Sequence, residues 1–501
     1  MRLLPRAVSM AVMTAAFSLA ANAHSITIDS GTLAGSETDG VQRFFGIPYA
    51  AAPVGDLRWQ APQPVKPWQG IRQATEFGPV CRQIVNWIKE PQSEDCLTLN
   101  VWAPKKPGKY PVMVWIHGGG FFGGSGSQWG KEGGNSVVKK DVILVTLNYR
   151  LGVFGFFAHP ELSAEAADHA SGNQGLRDQI AALKWVQKNI AAFGGDPARV
   201  TIAGQSAGGG SVSLLTLSPQ AKGLFQRAIV ESGAAGDMFA LAEAEKRGSE
   251  FLRQQKLEHI AEARKIDADT LIHQPWGPTV HLDNSVLPEN PRASYIAGRW
   301  NHVPMLLGWN ADEGFDLAAE TLHTNSFSAA NHAAVIGSVF GGSAPAIILQ
   351  AYPGKTDADA QSSTYRFVTD IMGFTHYRWA NWQAQTKSEP AYLYFFVHSP
   401  AEPKTPCTYG CKAGHGAEIR FAFDQLFLEP RAWTADDRKV ADQMLSYWTN
   451  FAKTGNPNSE TTPTWKAFDG TPETVLRIGS DAEVKARGNF TDFRPYLQMM
   501  P

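Results

Sequence analysis

Val200-Thr-Ile-Ala-Gly-Gln-Ser-Ala-Gly-Gly-Gly210 is the stretch whose reading decides how this chain folds. A β-branched run ends in Gly204-Gln-Ser206-Ala-Gly208, and small residues lead on to the apolar Leu214 and Leu215. That order reads as a strand turning sharply into a helix. Glycine is needed on both sides of the serine because a Cβ there meets neighbouring backbone. Such a turn holds a serine Oγ exposed at the top of a parallel sheet, with the next N–H aimed at an oxyanion. G-x-S-x-G also arises by chance, so its meaning rests on what surrounds it.

Outward from the turn, the flanks alternate strand and helix. Val112-Met-Val-Trp-Ile116 and Val142-Ile-Leu-Val-Thr-Leu147 are continuous apolar runs, the pattern of strands buried on both faces. Leu176, Ile180, Leu183, Val186 and Ile190 recur every three or four residues, which predicts a helix over 175–192, stopped by Phe193-Gly-Gly-Asp-Pro197. Ala228–Ser232, Met305–Trp309 and Ala391–Val397 repeat the short buried-strand pattern, and a last helix is expected near Asp436–Ala452. Residues 25–61 read as short antiparallel edge strands with turns, and the Pro-, Gly- and Trp-rich stretch to Cys96 as edge strands and loops. The fold class is α/β, a large, mostly parallel sheet with helices on both faces. Two long helical regions, 236–275 and 315–388, are expected as insertions above the C-terminal edge of the sheet, where such folds place their ligands. With no internal repeat or linker, residues 24–501 read as one domain.

A serine hydroxyl is a poor nucleophile until a base takes its proton and a third group orients that base. It also needs N–H donors where negative charge develops. Trp115-Ile-His117-Gly-Gly-Gly120-Phe121 closes a buried strand with three glycines, and such a triplet forms the second half of an oxyanion hole. Among thirteen histidines, His415 lies in a Gly-flanked loop, Ala413-Gly-His-Gly-Ala-Glu418, and His117 suits a loop-shaping role. The orienting acid is sought in Gly308-Trp-Asn-Ala-Asp-Glu-Gly314, just past a strand, with Asp312 and Asp316 as competing acids. The order serine, acid, histidine is that of α/β-hydrolases.

Composition bounds the rest. A net charge of −2 gives no electrostatic footprint for nucleic acid or an anionic membrane surface. Arg2 and Arg6, the apolar run Ala7–Ala20 and Ala21-Asn-Ala23 form a signal peptide over residues 1–23, so the chain is expected to be exported, periplasmic or secreted. No later stretch is apolar enough to cross a membrane. Four cysteines, an even number, fit an oxidising compartment. Three pairings are formally open, of which Cys81 with Cys96 and Cys407 with Cys411 is the simplest. The latter pair would stiffen the loop before His415. Its C-x-x-x-C spacing lacks a zinc pattern, and no metal or organic cofactor is implied.

Taken in order, Gly46-Ile-Pro-Tyr-Ala50, Glu94-Asp-Cys-Leu97, Leu99-Asn-Val-Trp102, the glycine triplet, Asn148-Tyr-Arg150, Gly175–Asp178, Phe193-Gly-Gly-Asp196, the serine turn, Asp312-Glu-Gly314 and His415-Gly-Ala-Glu418 carry a resemblance through nearly the whole mature chain. The sequence resembles the type-B carboxylesterase/cholinesterase family of α/β-hydrolases. That resemblance implies Ser206 as nucleophile, His415 as base and Glu313, rather than Asp312, as triad acid. It places the oxyanion on the N–H groups of Gly119, Gly120 and Ala207, and it matches Cys81 and Cys96 to the disulfide closing a loop at the gorge. Trp87, in that loop, is a candidate gorge residue. Arg58–Glu94 and Arg150–Asp178 are implied as scaffold ion pairs, and Ser232 as a hydrogen-bond partner behind the triad. Gln205 stands where many members carry glutamate, which argues against cationic, choline-type substrates.

The function expected is hydrolysis of small carboxylic esters through an acyl-enzyme, with Phe121 and Phe122 as candidates for an apolar acyl pocket. The same machinery could cleave amides or peptides, which an anilide compared with its matching ester would separate. Non-catalytic binding modules share this fold but commonly lose the triad, whereas Ser206, Glu313 and His415 are all present.

Overall fold

A computed structural model describes residues 24–400, 412–479 and Phe493. The segment read as a signal peptide, and Cys407 and Cys411, lie outside the described residues. Ten strands form the main sheet: β1 (Ser36–Thr38), β2 (Val41–Pro48), β3 (Thr98–Pro104), β4 (Tyr110–Ile116), β5 (Ile143–Leu147), β6 (Gly195–Gln205), β7 (Arg227–Glu231), β8 (Met305–Asn310), β9 (Ala391–Phe396) and β10 (Leu476–Ile478). Their order is β10-β9-β8-β7-β6-β4-β5-β3-β2-β1. From β10 to β5 all pairs are parallel, and β3, β2 and β1 add an antiparallel arm. The edge strands expected from the early turn-rich sequence are this arm and a separate sheet of Ser25–Ile28, Gly31–Ala34 and Ile71–Gln73.

Successive side chains of a strand point to opposite faces, and the core divides accordingly. Val112, Val114 and Ile116 of β4 join one buried cluster with Val200, Ile202, Val230 and Leu307. Met113 and Trp115 join the other with Ala203, Ile229 and Leu306. Both faces are therefore apolar, which is why these strands read as unbroken hydrophobic runs rather than alternating ones.

Helices α1 (Gln174–Asn189) and α2 (Ala207–Leu217) supply Leu176, Ile180, Leu183, Val212 and Leu215 to the first cluster. A 3-10 turn, Ile190–Phe193, ends α1 at Gly194, whose φ of 81° is the left-handed conformation of a helix stop. Strand β6 starts earlier than the apolar run suggests, because Gly195 already pairs with Tyr110 before a register shift to Val200. Between residues 236 and 275 lies α3 (Leu241–Gln254), followed by the short helices Ile260–Ala263 and Ala268–Ile272. The second region carries α4 (Glu313–Thr321), short helices at His332–Ser338 and Ala346–Ala351, and α5 (Asp357–Thr386). The last helix, α6 (Ala435–Thr454), starts in a capping box of Thr434 and Asp437 and packs Met444, Tyr447 and Trp448 into the second cluster.

Register brings the functional loops together. Gly204 pairs with Ile116, Gln205 with Glu231, and Glu231 with Gly308. The chain thus leaves β4, β6, β7 and β8 at one common edge, and the segments that follow are His117–Phe121, Ser206, Ser232 and Glu313. Ligands of open α/β sheets bind at this edge, outside the carboxyl ends of the strands.

Candidate active site

Ser206 sits at the tip of the β6–α2 turn with φ 57° and ψ −127°, a conformation that costs a non-glycine residue of order 1–3 kcal/mol. Its surroundings hold it there. The Ser206 N–H donates to the Glu231 carbonyl at 2.9 Å, and the Gly210 N–H donates to the Ser206 carbonyl at 2.8 Å. A Cβ on Gly204 would lie 2.6 Å from the Gly208 backbone and 2.8 Å from the Ile116 carbonyl oxygen. A Cβ on Gly208 would collide with that same oxygen. The glycines are required by close backbone approach, as the sequence suggests.

The glycine triplet makes a run of left-handed residues, with φ 101° at Gly119, 60° at Gly120 and 63° at Phe121. Successive N–H groups in such a run line a concavity for an anion. Neither the Gly119 nor the Gly120 N–H donates to another group among the described residues, and Ala207 opens α2, where an N–H has no helical acceptor. His117 holds the loop: its Nδ1–H donates to the Gly118 carbonyl at 2.8 Å and its ring stacks on Tyr149. Burial lowers the His117 pKa to about 4, so the ring is neutral at physiological pH.

The candidate acid and base meet. Glu313 Oε2 accepts from His415 Nδ1 at 2.6 Å, with both side chains buried, and Glu313 Oε1 accepts the Asn310 N–H at 2.9 Å. Donation from Nδ1 fixes the tautomer and leaves the neutral ring's lone pair on Nε2. Burial pushes the His415 imidazole down, but the charge and hydrogen bond of Glu313, with Glu418 and Asp316 behind it, outweigh that and raise it above the usual histidine value. The two competing acids have other work. Asp312 Oδ2 accepts the Ala413 N–H at 3.1 Å, and Asp316 Oδ2 accepts the His415 N–H at 2.8 Å. Three acids within five residues thus hold one loop, and Glu313 is the one that bonds the ring nitrogen.

The contact between elbow and imidazole is made by Gln205, whose Nε2 lies 3.2 Å from His415 Nε2. A Ser206–His415 hydrogen bond is not among those of the described residues; such bonds often tighten only with substrate. Behind the ring, Glu418 accepts from Asn310 Nδ2 and, at 3.3 Å, from Ser232 Oγ. Burial and the neighbouring Glu313 raise the Glu418 carboxyl to about 7. Glu231 is buried beside it, accepts from Trp448 Nε1 at 2.8 Å, and is pushed well above the ordinary carboxyl range by burial and by Glu418. Glu418 stands in the quoted histidine motif, so the sequence carried a signal for it. Glu231 and Asn310 are strand-end residues that no local pattern marks.

The candidate pocket aromatics separate. Phe121 turns inward onto Phe156 at 4.9 Å between ring centroids, whereas Phe122 covers Gly120 and is 37% exposed. Trp87 is 58% exposed and lies against Gly123 on the loop closed by the Cys81–Cys96 disulfide. Arg58 pairs with Glu94 at 2.6 Å and Arg150 with Asp178 at 2.7 Å.

The model of the carboxylesterase family matches residues 22–494. The chain belongs to that family. Fumonisin B1 esterase of Sphingopyxis macrogoltabida is 37% identical over 482 residues, covering 90% of this chain and 85% of that protein. Para-nitrobenzyl esterase of Bacillus subtilis (strain 168) is 35% identical over 488 residues, covering 92% and 96%. Among solved structures, a thermophilic PNB esterase superposes with a TM-score of 0.79 at 34% identity, covering 92% of this chain and 96% of its own. The carboxylesterase is therefore a carboxylic ester hydrolase with the α/β-hydrolase fold. No helix among its described residues is long and apolar enough to cross a membrane.

Proposed function

We propose that this carboxylesterase hydrolyses small carboxylic esters through an acyl-enzyme on Ser206, with His415 as base and Glu313 as the acid that orients it. The observation that carries the reading is the buried 2.6 Å contact of Glu313 with His415, set beside a serine in strained left-handed backbone. Ser206 Oγ attacks the ester carbonyl as His415 Nε2 takes its proton, and the Glu313 carboxylate stabilises the imidazolium. Negative charge on the tetrahedral oxygen falls among the N–H groups of Gly119, Gly120 and Ala207, donors already in place before the reaction. His415 then protonates the leaving alcohol, activates water, and the acyl group departs as a carboxylic acid.

Residues 24–501 act as one hydrolase domain in this reading, with Phe122 and Trp87 at the mouth of the site. The chain is exported and loses residues 1–23. The Cys81–Cys96 disulfide supports an oxidising compartment, and N-terminal sequencing of the mature protein should begin at His24. The direct test is Ser206→Ala. It should lower kcat by about 10⁴-fold or more with the fold intact by circular dichroism; substantial ester turnover by that variant would refute the assignment.

A further inference from the structure

Resting on that reading of the oxyanion hole, we infer that His376 is a positioning residue: its ring nitrogen holds the Gly233–Ala234 backbone against the Ser206–Ala207 peptide and so keeps the Ala207 N–H aimed at the substrate oxygen. His376 lies on α5, fully buried, within the second helical insertion. Its Nδ1–H donates to the Met372 carbonyl at 2.8 Å. A carbonyl oxygen can only accept, so the neutral ring has one lone pair left, on Nε2. Two backbone donors converge on that nitrogen, the Gly233 N–H at 3.2 Å and the Ala234 N–H at 3.4 Å. Neither N–H has another acceptor among the described residues.

The segment held in this way lies against the nucleophile turn. A Cβ on Gly233 would collide with the Ser206 carbonyl oxygen and stand 3.0 Å from the Gly210 nitrogen. Gly233 therefore backs the carbonyl that also accepts the Gly210 N–H. That carbonyl and the Ala207 N–H are the two ends of one planar peptide, so what fixes the oxygen fixes the direction of the N–H. The next residue is secured from both sides: Trp379 Nε1 donates to the Ala235 carbonyl at 2.8 Å, and Ser213 Oγ of α2 accepts the Ala235 N–H at 3.0 Å. His376 and Trp379, three residues apart, present one face of α5 to this segment.

The role needs an acceptor that stays an acceptor. Burial holds the His376 imidazole down at about 4, outweighing the Met372 hydrogen bond and the charge of Glu313. The ring is thus neutral wherever His415 can act as a base. Phenylalanine keeps the ring shape but leaves the Gly233 and Ala234 N–H groups unpaired, which frees the segment to seek other partners. Glutamine is similar in reach, and its amide oxygen has two lone pairs for the two donors.

The experiment compares the full-length mature enzyme with His376→Phe and His376→Gln on one p-nitrophenyl ester, with rates normalised to sites titrated by a fluorophosphonate. Each protein is also inhibited with a trifluoromethyl ketone, whose adduct with the serine carries the oxyanion. His376→Leu replaces the phenylalanine variant if that one does not fold. His376→Phe should lose about 10- to 100-fold in kcat with little change in KM, and its ketone affinity should fall by a similar factor. His376→Gln should regain most of both. Wild-type kcat in His376→Phe, a loss that His376→Gln shares in full, or a loss of kcat with ketone affinity unchanged overturns the proposal while leaving the acyl-enzyme reading standing. Ester turnover by Ser206→Ala overturns that reading and this inference with it.

Discussion

Glu313 and His415 show how much of the site depends on single contacts. Replacing Glu313 by glutamine keeps the shape but removes the charge that meets the imidazolium, so kcat should fall by about 10³–10⁴-fold. The same change should move the acid limb downward. His415 is held above its usual value against burial by Glu313, and the proposed mechanism needs the neutral imidazole, so wild-type activity should be lost as pH falls through a value above 6.5. A Glu313→Gln profile with its limb at the wild-type position would contradict this. At this scale the sequence was legible where chemistry leaves a local signature. Ser206 and the glycine triplet are such cases, because strained backbone and close approach demand glycine at fixed spacing. The acid was ambiguous among Asp312, Glu313 and Asp316, since all three lie at the same sheet edge and all three bind the histidine loop. Resemblance favoured Glu313. The Gln205 amide was invisible as a partner of His415, because that contact joins residues 210 positions apart.

Elements carry those residues to their places, and α4 does so by a close crossing. A Cβ on Gly314 would collide with the Tyr365 carbonyl of α5, and the Gly314 N–H donates to Thr369 Oγ1 at 3.0 Å. Gly314→Ala should therefore push α4 off α5 and displace Glu313. We expect a loss of about 1–3 kcal/mol of stability by denaturant titration and a drop in kcat larger than any change in KM. Loss of stability with kcat unchanged would separate the crossing from the chemistry. The disulfide loop offers a second check. Cys81 and Cys96 lie 15 positions apart, so Cys81→Ser with Cys96→Ser should cost about 3 kcal/mol, measured as a lower midpoint in urea. Strand and helix periods announced most of these elements, and Gly194 ends a helix where stop chemistry predicts, while Gly455 closes α6 in the same left-handed conformation. The start of β6 was less legible, because Gly195 and Asp196 look like turn residues while their backbone already follows β4.

Across the whole molecule, the sheet stacks buried acids at one edge, and this has a cost that depends on pH. Glu418 stands above its ordinary value of 4.5, at about 7, through burial and Glu313. A raised carboxyl contributes stability in full below its unfolded value and loses it as pH rises through the folded one. Wild type should therefore lose stability between pH 4.5 and 7 relative to Glu418→Gln, seen in urea titrations at the two ends of that window. Parallel slopes for the two proteins would contradict it. The α/β architecture followed from alternation along the chain, whereas the gathering of Glu231, Asn310 and Glu418 behind His415 follows from strand order, which local pattern does not encode. The central claim is the acyl-enzyme on Ser206, and rapid-quench mass spectrometry with a slowly deacylating p-nitrophenyl ester tests it most directly. One acyl group per active enzyme, on the peptide carrying Ser206 and formed with one equivalent of released p-nitrophenol, is the expected result. Steady turnover with no adduct, or an adduct on a different residue, would contradict it.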